Sequence, residues 1–138
     1  KYYFVDLGLR NARLNFRQLE KTHIMENVIY NELRVRGFNI DVGVVPILKR
    51  DNEGKMIRNQ FEIDFVCNQG SKRYYIQSAY RMPTEEKEEQ EEASLRNVND
   101  SFKKIVIVGD DILVKRNEAG ITTMSIYDFL LNPNSLEL

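Results

Sequence analysis

The run KKIVIV, residues 103–108, ends in four consecutive apolar β-branched residues, Ile105 to Val108. A strand with one face in water alternates polar and apolar side chains; a strand with no polar face must be covered on both. Such a strand belongs in the middle of a layered α/β sheet. It is reached through a helical crossover and pairs in parallel with its neighbour. Pro83 and Thr84 open the helix that supplies this crossover, running to about Asn97. The rest of the chain then has to provide the neighbouring strands and the covering layers.

Three runs upstream read as those strands. The first, FNIDVGVVPIL, ends at Leu48, and KRDNEGKMIRN turns the chain with Asp51, Asn52 and Gly54. The second, QFEIDFVC, alternates: Phe61, Ile63, Phe65 and Cys67 on one face, Glu62, Asp64 and Val66 on the other. NQGS is a tight hairpin signal. The third, KRYYIQSAY, puts Tyr75, Gln77 and Ala79 on one face and Tyr74, Ile76, Ser78 and Tyr80 on the other. Short turns between them predict an antiparallel meander. Ahead of it, Thr22 is positioned to cap a helix from about His23 to Arg36, stopped by Gly37. Its apolar stripe is Met25, Val28, Ile29 and Leu33; Glu26 lies beside that stripe. KYYFVD reads as a short strand, and LGLRNARLNF as part helix, part loop. Downstream, ILVKRNEAGITTMSI reads as a hairpin. Ser125 or Tyr127 begins a last helix, IYDFLL, stopped by Pro133.

At 138 residues, 42% of them hydrophobic and 30% charged, the chain is one soluble globular domain rather than a disordered segment. No apolar run approaches the roughly 20 residues needed to cross a bilayer. The chain opens at Lys1 and not at methionine, which predicts that an upstream part, with any targeting segment, has been cut away. Cys67 is the single cysteine and lies in an apolar run, which suits packing in a reducing compartment. A net charge of −1 supplies no global field toward nucleic acid. The basic stretch with Arg10, Arg13, Arg17 and Lys21 and the acidic stretch EEKEEQEE at 85–92 read as solvated surface.

Charged and polar groups inside strand-like runs need an explanation. Asp64 and Gln77 can face the same side of a hairpin, and a helix packed on it can present Glu26. Two carboxylates and an amide oxygen form a sensible Mg²⁺ set, with water completing the shell. A metal held there could activate water against a phosphodiester, helped by a nearby lysine. Glu62 reads as a rim residue, His23 as a first-turn helix residue, and the GDD at 109–111 as a turn. Tyr74, Tyr75 and Tyr80 read as sheet packing.

The order of elements from about residue 22 to 109, with Glu26, EID and Gln77-Ser78-Ala79, resembles the core of the PD-(D/E)xK nuclease-like superfamily. That resemblance implies catalytic or metal-binding roles for Glu26, Asp64 and Gln77. It also places Ala79 where the superfamily has lysine, leaving Lys87, Lys72 or Arg81 as stand-ins. The blocks KYYFVDLGLRNA, HIMENVIYNELRVRGF, VGVV, EIDFVC, YYIQSAY and DFLL together are similar to the C-terminal domain of unknown function of bacterial and archaeal AAA+ ATPases. This implies an ATPase and winged-helix region upstream, with residues 1–21 as connector and 22–138 as the nuclease-like domain. ATP would bind only upstream, since the chain has no GxxxxGK[ST]. The expected function is a cytoplasmic accessory domain, catalytically silent because of Ala79, that serves partner binding, DNA binding or assembly, oligomers included. The alternative is a Mg²⁺-dependent DNA nuclease with a displaced lysine. A third reading is a toxin–antitoxin or defence module in which the ATPase gates the nuclease-like domain.

Overall fold

The computed structural model describes residues 1–13 and 20–138. Arg17, one of the expected basic surface residues, lies outside them. Helices α1 (Leu7–Arg13) and α2 (Lys21–Val35) come first, then strands β1 (Asn39–Arg50), β2 (Met56–Gln69) and β3 (Lys72–Ala79). Helix α3 (Glu85–Arg96), strands β4 (Lys103–Val108), β5 (Lys115–Arg116) and β6 (Ile121–Ser125) and helix α4 (Ile126–Leu131) follow, with a 3₁₀ turn at Ser135–Glu137. The strands form one six-stranded mixed sheet in the order β1-β2-β3-β4-β6-β5.

The expected meander is present: β1 pairs β2 and β2 pairs β3, both antiparallel. The expected crossover is present too, because β3 and β4 run parallel with Ile76 opposite Ile105. Ile105, Val106, Ile107 and Val108 are all buried. Ile105 and Ile107 pack with Met25, Ile29 and Leu33 of α2 and Phe129 of α4. Val106 and Val108 pack with Leu95 of α3 on the opposite face. Three layers result, with α2 and α4 on one side of the sheet and α3 on the other.

Several expectations are corrected. KYYFVD is not a strand. Its backbone is taken by a helix instead: the Phe4 N–H donates to Asn27 Oδ1 at 3.0 Å, Asn27 Nδ2 donates back to the Phe4 carbonyl at 2.7 Å, and Asn31 Nδ2 donates to it at 2.8 Å. Tyr3 stacks on Tyr30 with centroids 4.3 Å apart. Helix α2 begins before Thr22, with Glu20 at its N-cap and no side-chain cap bond. Thr84 and Ser125 do cap α3 and α4, accepting from the backbone N–H of Lys87 and Asp128. Arg10 is buried and hydrogen-bonded to Asn11, so it is not solvated surface.

The alternation expected in β2 fails at one point. Asp41 pairs with Val66 and Gly43 with Ile63, so β2 spends three residues where β1 spends two. This bulge throws Ile63 onto the α3 side, with Tyr75, Leu95 and Val106, while Phe65 and Cys67 pack on the α2 side. A Cβ at Gly43 would come within 2.8 Å of Val66 Cγ2 and 3.1 Å of Ile63 Cβ, so the bulge is seated on a residue with no side chain.

The acidic stretch of α3 is not all surface either. Glu92 is fully buried. Arg96 donates twice to its Oε2, at 3.0 and 2.7 Å, and Asn117 Nδ2 lies 3.0 Å from each carboxylate oxygen. Asn117 Oδ1 in turn accepts from the Ile121 N–H at 3.0 Å, which ties α3 to the β5–β6 turn. A carboxylate survives full burial because both oxygens are paired. Glu92→Ala strands the Asn117 amide and opens a cavity; we expect a loss of about 3 kcal/mol in unfolding free energy, read as a lower urea midpoint at unchanged slope.

Candidate functional site

β2 and β3 are paired only from Phe65 to Gln69 against Lys72 to Ile76. Just beyond, side chains replace the ladder. The Asp64 N–H donates to Gln77 Oε1 at 3.1 Å, and the Ser78 N–H donates to Asp64 Oδ2 at 2.9 Å. The divergence, together with the bulge, opens a cavity of about 410 Å³ lined by Thr22, Glu26, Asp64, Gln77, Ser78, Ala79, Tyr80, Arg81, Lys87 and Glu91. The three residues singled out from the sequence thus share one cavity, and two of the three proposed cations, Lys87 and Arg81, stand in its wall. The third, Lys72, does not. It opens β3 at the hairpin end of the strand and lines a different cavity with Arg36, Tyr74 and Glu137. Its position follows from strand geometry, since Lys72 and Gln77 are at opposite ends of one extended segment. Ala79 is buried against the α3-side core and offers no polar group.

Two contributors were not foreseen. Lys1 reaches into the acidic pair, with Nζ 3.1 Å from Glu26 Oε2 and 3.7 Å from Asp64 Oδ1. Its segment read as a strand, so no sequence signal pointed it at the site; Asn27 and Asn31 clamp that segment on α2 and so set its path. The other is Glu91, which pairs with Lys87 at 2.5 Å. The spacing of Lys87 and Glu91 by one helical turn was legible, but the face they share was not. Ser78 Oγ also lines the cavity, buried and with no hydrogen-bond partner.

Elsewhere the expected surface roles hold. His23 is in the first turn of α2, 3.1 Å from Glu20. Glu62 is exposed on β2. Tyr74 and Tyr75 are buried in the sheet, whereas Tyr80 is half-buried in the cavity wall. Asp110 of the GDD bend lies 3.9 Å from Arg81.

The charges shape one another. Burial, then the nearby Glu26 and Glu91, push the Asp64 carboxyl up to about 6, although the Ser78 N–H and Lys1 pull the other way. Burial opposes the charge on Lys1, but the hydrogen bond to Glu26 and the fields of Glu26, Asp64 and Glu62 hold its pKa above the ordinary lysine value. Burial and the same two carboxylates raise the Tyr3 phenol. Among the described residues, no group of three or more His, Cys, Asp or Glu side chains is arranged to hold a metal ion. Glu26 and Asp64 are a two-carboxylate pair, and an ammonium already lies between them. Hard oxygens closing around a cation suit a dication bound largely through water.

No protein-family model and no solved structure matches the chain. It is similar to an uncharacterized protein of Haemophilus influenzae, 30% identical over 132 residues. That alignment covers 95% of this chain and 28% of the relative, so the chain spans less than a third of the protein it resembles. No described helix is long and apolar enough to cross a membrane.

A carboxyl whose pKa is raised by folding adds stability below its ordinary value and loses that contribution as the pH climbs through the folded one. For Asp64 the loss falls between 3.8 and about 6. Asp64→Asn keeps an acceptor for the Ser78 N–H and drops the charge. We expect this variant to be more stable than the wild type by ~1–2 kcal/mol at neutral pH, with the gap closing near pH 4 in urea titrations. Asp64→Ala removes the acceptor as well and should lose ~1–3 kcal/mol at either pH.

Proposed function

We propose that this chain is the PD-(D/E)xK nuclease-like module of a larger ATP-binding protein of the AAA+ class, and that its cavity binds a divalent cation against a nucleic-acid phosphodiester. The observation that carries the reading is the meeting of Glu26 from α2, Asp64 from β2 and Gln77 from β3 in one cavity, with a lysine ammonium in contact with both acids. The element order of helix, antiparallel meander, crossover helix and parallel strand supports the same core. The relative's greater length supports a module within a longer protein. The buried thiol of Cys67, whose pKa is pushed up to about 12 by burial, is inert and suits a reducing, cytoplasmic setting.

In this reading Glu26 and Asp64 would hold the Mg²⁺, which would displace the Lys1 ammonium from between them, and Gln77 fixes Asp64 by accepting from its backbone N–H. The metal, when bound, supplies charge neutralisation and an activated water. Lys1 stays protonated at neutral pH, because the two acids favour its charge, and it offers the cation that Ala79 cannot. Lys87, paired with Glu91 in the same wall, lies where it can face a phosphate oxygen. Burial of the Asp64 carboxylate strengthens the interactions it makes itself.

A second reading, a catalytically silent accessory domain for partner binding or assembly, is favoured by the hydrogen bonds themselves. Gln77 Oε1 and Asp64 Oδ2 are already engaged with backbone N–H groups and stitch two strands together. Plasmid and branched DNA incubated with the protein in Mg²⁺ or Mn²⁺ separate the two. We expect metal-dependent cleavage that falls about a hundredfold in Asp64→Asn and about tenfold in Lys1→Met, with both variants folded. DNA that stays intact yet is still bound by wild type and Asp64→Asn alike would establish the silent reading.

A further inference from the structure

Beyond Phe65 the β2 strand loses β3 as a partner, so β1 and β2 continue as a two-stranded ribbon from about Gly43 to Ile63. A lone ribbon of this kind is marginally stable in water. This one carries exposed apolar side chains on both strands: Val44 is 55% exposed, Leu48 65%, Met56 54% and Ile57 42%. It also carries four exposed cations near its tip, Lys49, Arg50, Lys55 and Arg58, against two acids, the half-buried Asp51 and the exposed Glu53, which leaves the tip net basic. None of the four cations is in an ion pair among the described residues; Lys49 rests over the Phe61 ring, 5.8 Å from its centroid. The outer edge is unsuited to strand addition, because Pro46 lacks an N–H and the charged tip repels a flat partner. Recognition through this ribbon therefore falls to its side chains.

The complementary surface is on the same molecule. Helix α3 exposes Glu85, Glu86 and Glu89, none of them in an ion pair among the described residues. Lys115 reaches Glu88 at 3.1 Å, which sets the 110–115 loop beside this helix. That loop adds Asp111 and two exposed apolar side chains, Leu113 at 91% and Val114 at 40%. One surface is apolar and basic and the other apolar and acidic, and both lie at the end of the sheet where β3 and β4 finish. Lying at the same end of the sheet, they are placed to meet across two copies related by a two-fold axis. A self-complementary pair of this kind closes with two equal contacts. Nucleic acid fits the ribbon less well, since the ribbon's exposed apolar side chains gain nothing from phosphate.

We propose that the chain forms a two-fold homodimer in which the basic β1–β2 ribbon of each copy packs on the acidic α3 surface and 110–115 loop of the other. This inference stands independently of the proposed nuclease-like site. Sedimentation velocity at low ionic strength is expected to give a dimer that dissociates as NaCl is raised, because the pairing charges are solvent-facing. Lys49→Glu combined with Arg58→Glu, and separately Glu86→Lys combined with Glu89→Lys, should each raise the dimer dissociation constant at least about tenfold with unchanged circular dichroism. An equimolar mixture of the two variants should restore a dimer by pairing the reversed surfaces. A wild type that stays monomeric at low salt overturns the proposal, as do variants that dimerise unchanged or a mixture that fails to associate. Loss of DNA binding in the ribbon variant, with a monomeric wild type, would assign the ribbon to nucleic acid instead.

Discussion

At Asp64 and Gln77 two strands separate while still inside the protein, and each leaves peptide groups that must find partners. The chain solves this with two side chains. Gln77 takes the Asp64 N–H and the Asp64 carboxylate takes the Ser78 N–H. An unpaired peptide group at this depth costs about 1–3 kcal/mol, so the exchange decides whether the sheet can split here at all. Three consequences follow. The β1–β2 ribbon is freed from the body. A cavity opens in the gap. A carboxylate is fixed in that cavity with one oxygen committed to structure and the other facing Glu26 and Lys1.

Fixing a carboxylate in this way has an electrostatic consequence. Asp64 is largely removed from water beside a second acid, Glu26, with Glu91 near, and its proton affinity rises accordingly. A cation relieves the strain, and the fold delivers one. Residues 1–5 are laid on α2 by Asn27 and Asn31 and by the Tyr3–Tyr30 stack, and that path ends with the Lys1 ammonium against both acids. The polar residues on α2 thus have a purpose that a hydrophobic stripe does not explain: Asn27 is buried alongside Met25 and Ile29 because it binds a neighbouring backbone.

What could be read from the sequence tracks the range of the interaction responsible. KKIVIV announced a doubly covered parallel strand, and NQGS a hairpin, because both depend on local pattern. The convergence of Glu26, Asp64 and Gln77 was anticipated from strand parity and helix spacing together with a family resemblance. Parity failed at Ile63, since a bulge depends on the partner strand: the space beside Gly43 is set by Val66, and neither residue signals it alone. KYYFVD looked like a strand because its aromatic and β-branched residues fit a pleated surface; helix amides some twenty residues away took its hydrogen bonds instead. Glu92 looked solvated as one of six glutamates, and its burial is made tolerable by Arg96 together with Asn117, returned from the β5–β6 turn. Lys1 was out of reach for the same reason, as its place is set by the path of a segment with no regular structure.

The chemistry-bearing groups gather at one end of the sheet. β3 and β4 finish there, joined by the Gly109 N–H donating to the Tyr80 carbonyl at 3.0 Å. The first turn of α3 begins there, and the ribbon departs from there. In open α/β sheets this is the end where crossover connections part and leave a crevice. The bulge and the side-chain exchange widen that crevice on the antiparallel side, where a regular ladder would have closed it. A sheet fully laddered from β1 to β4 would be the more stable object, but it would have no room for Asp64 to meet Glu26. The departures from regularity in this domain are the bulge, the split and the buried acid. They fall within a few residues of one another, and they do so where the fold already leaves an opening.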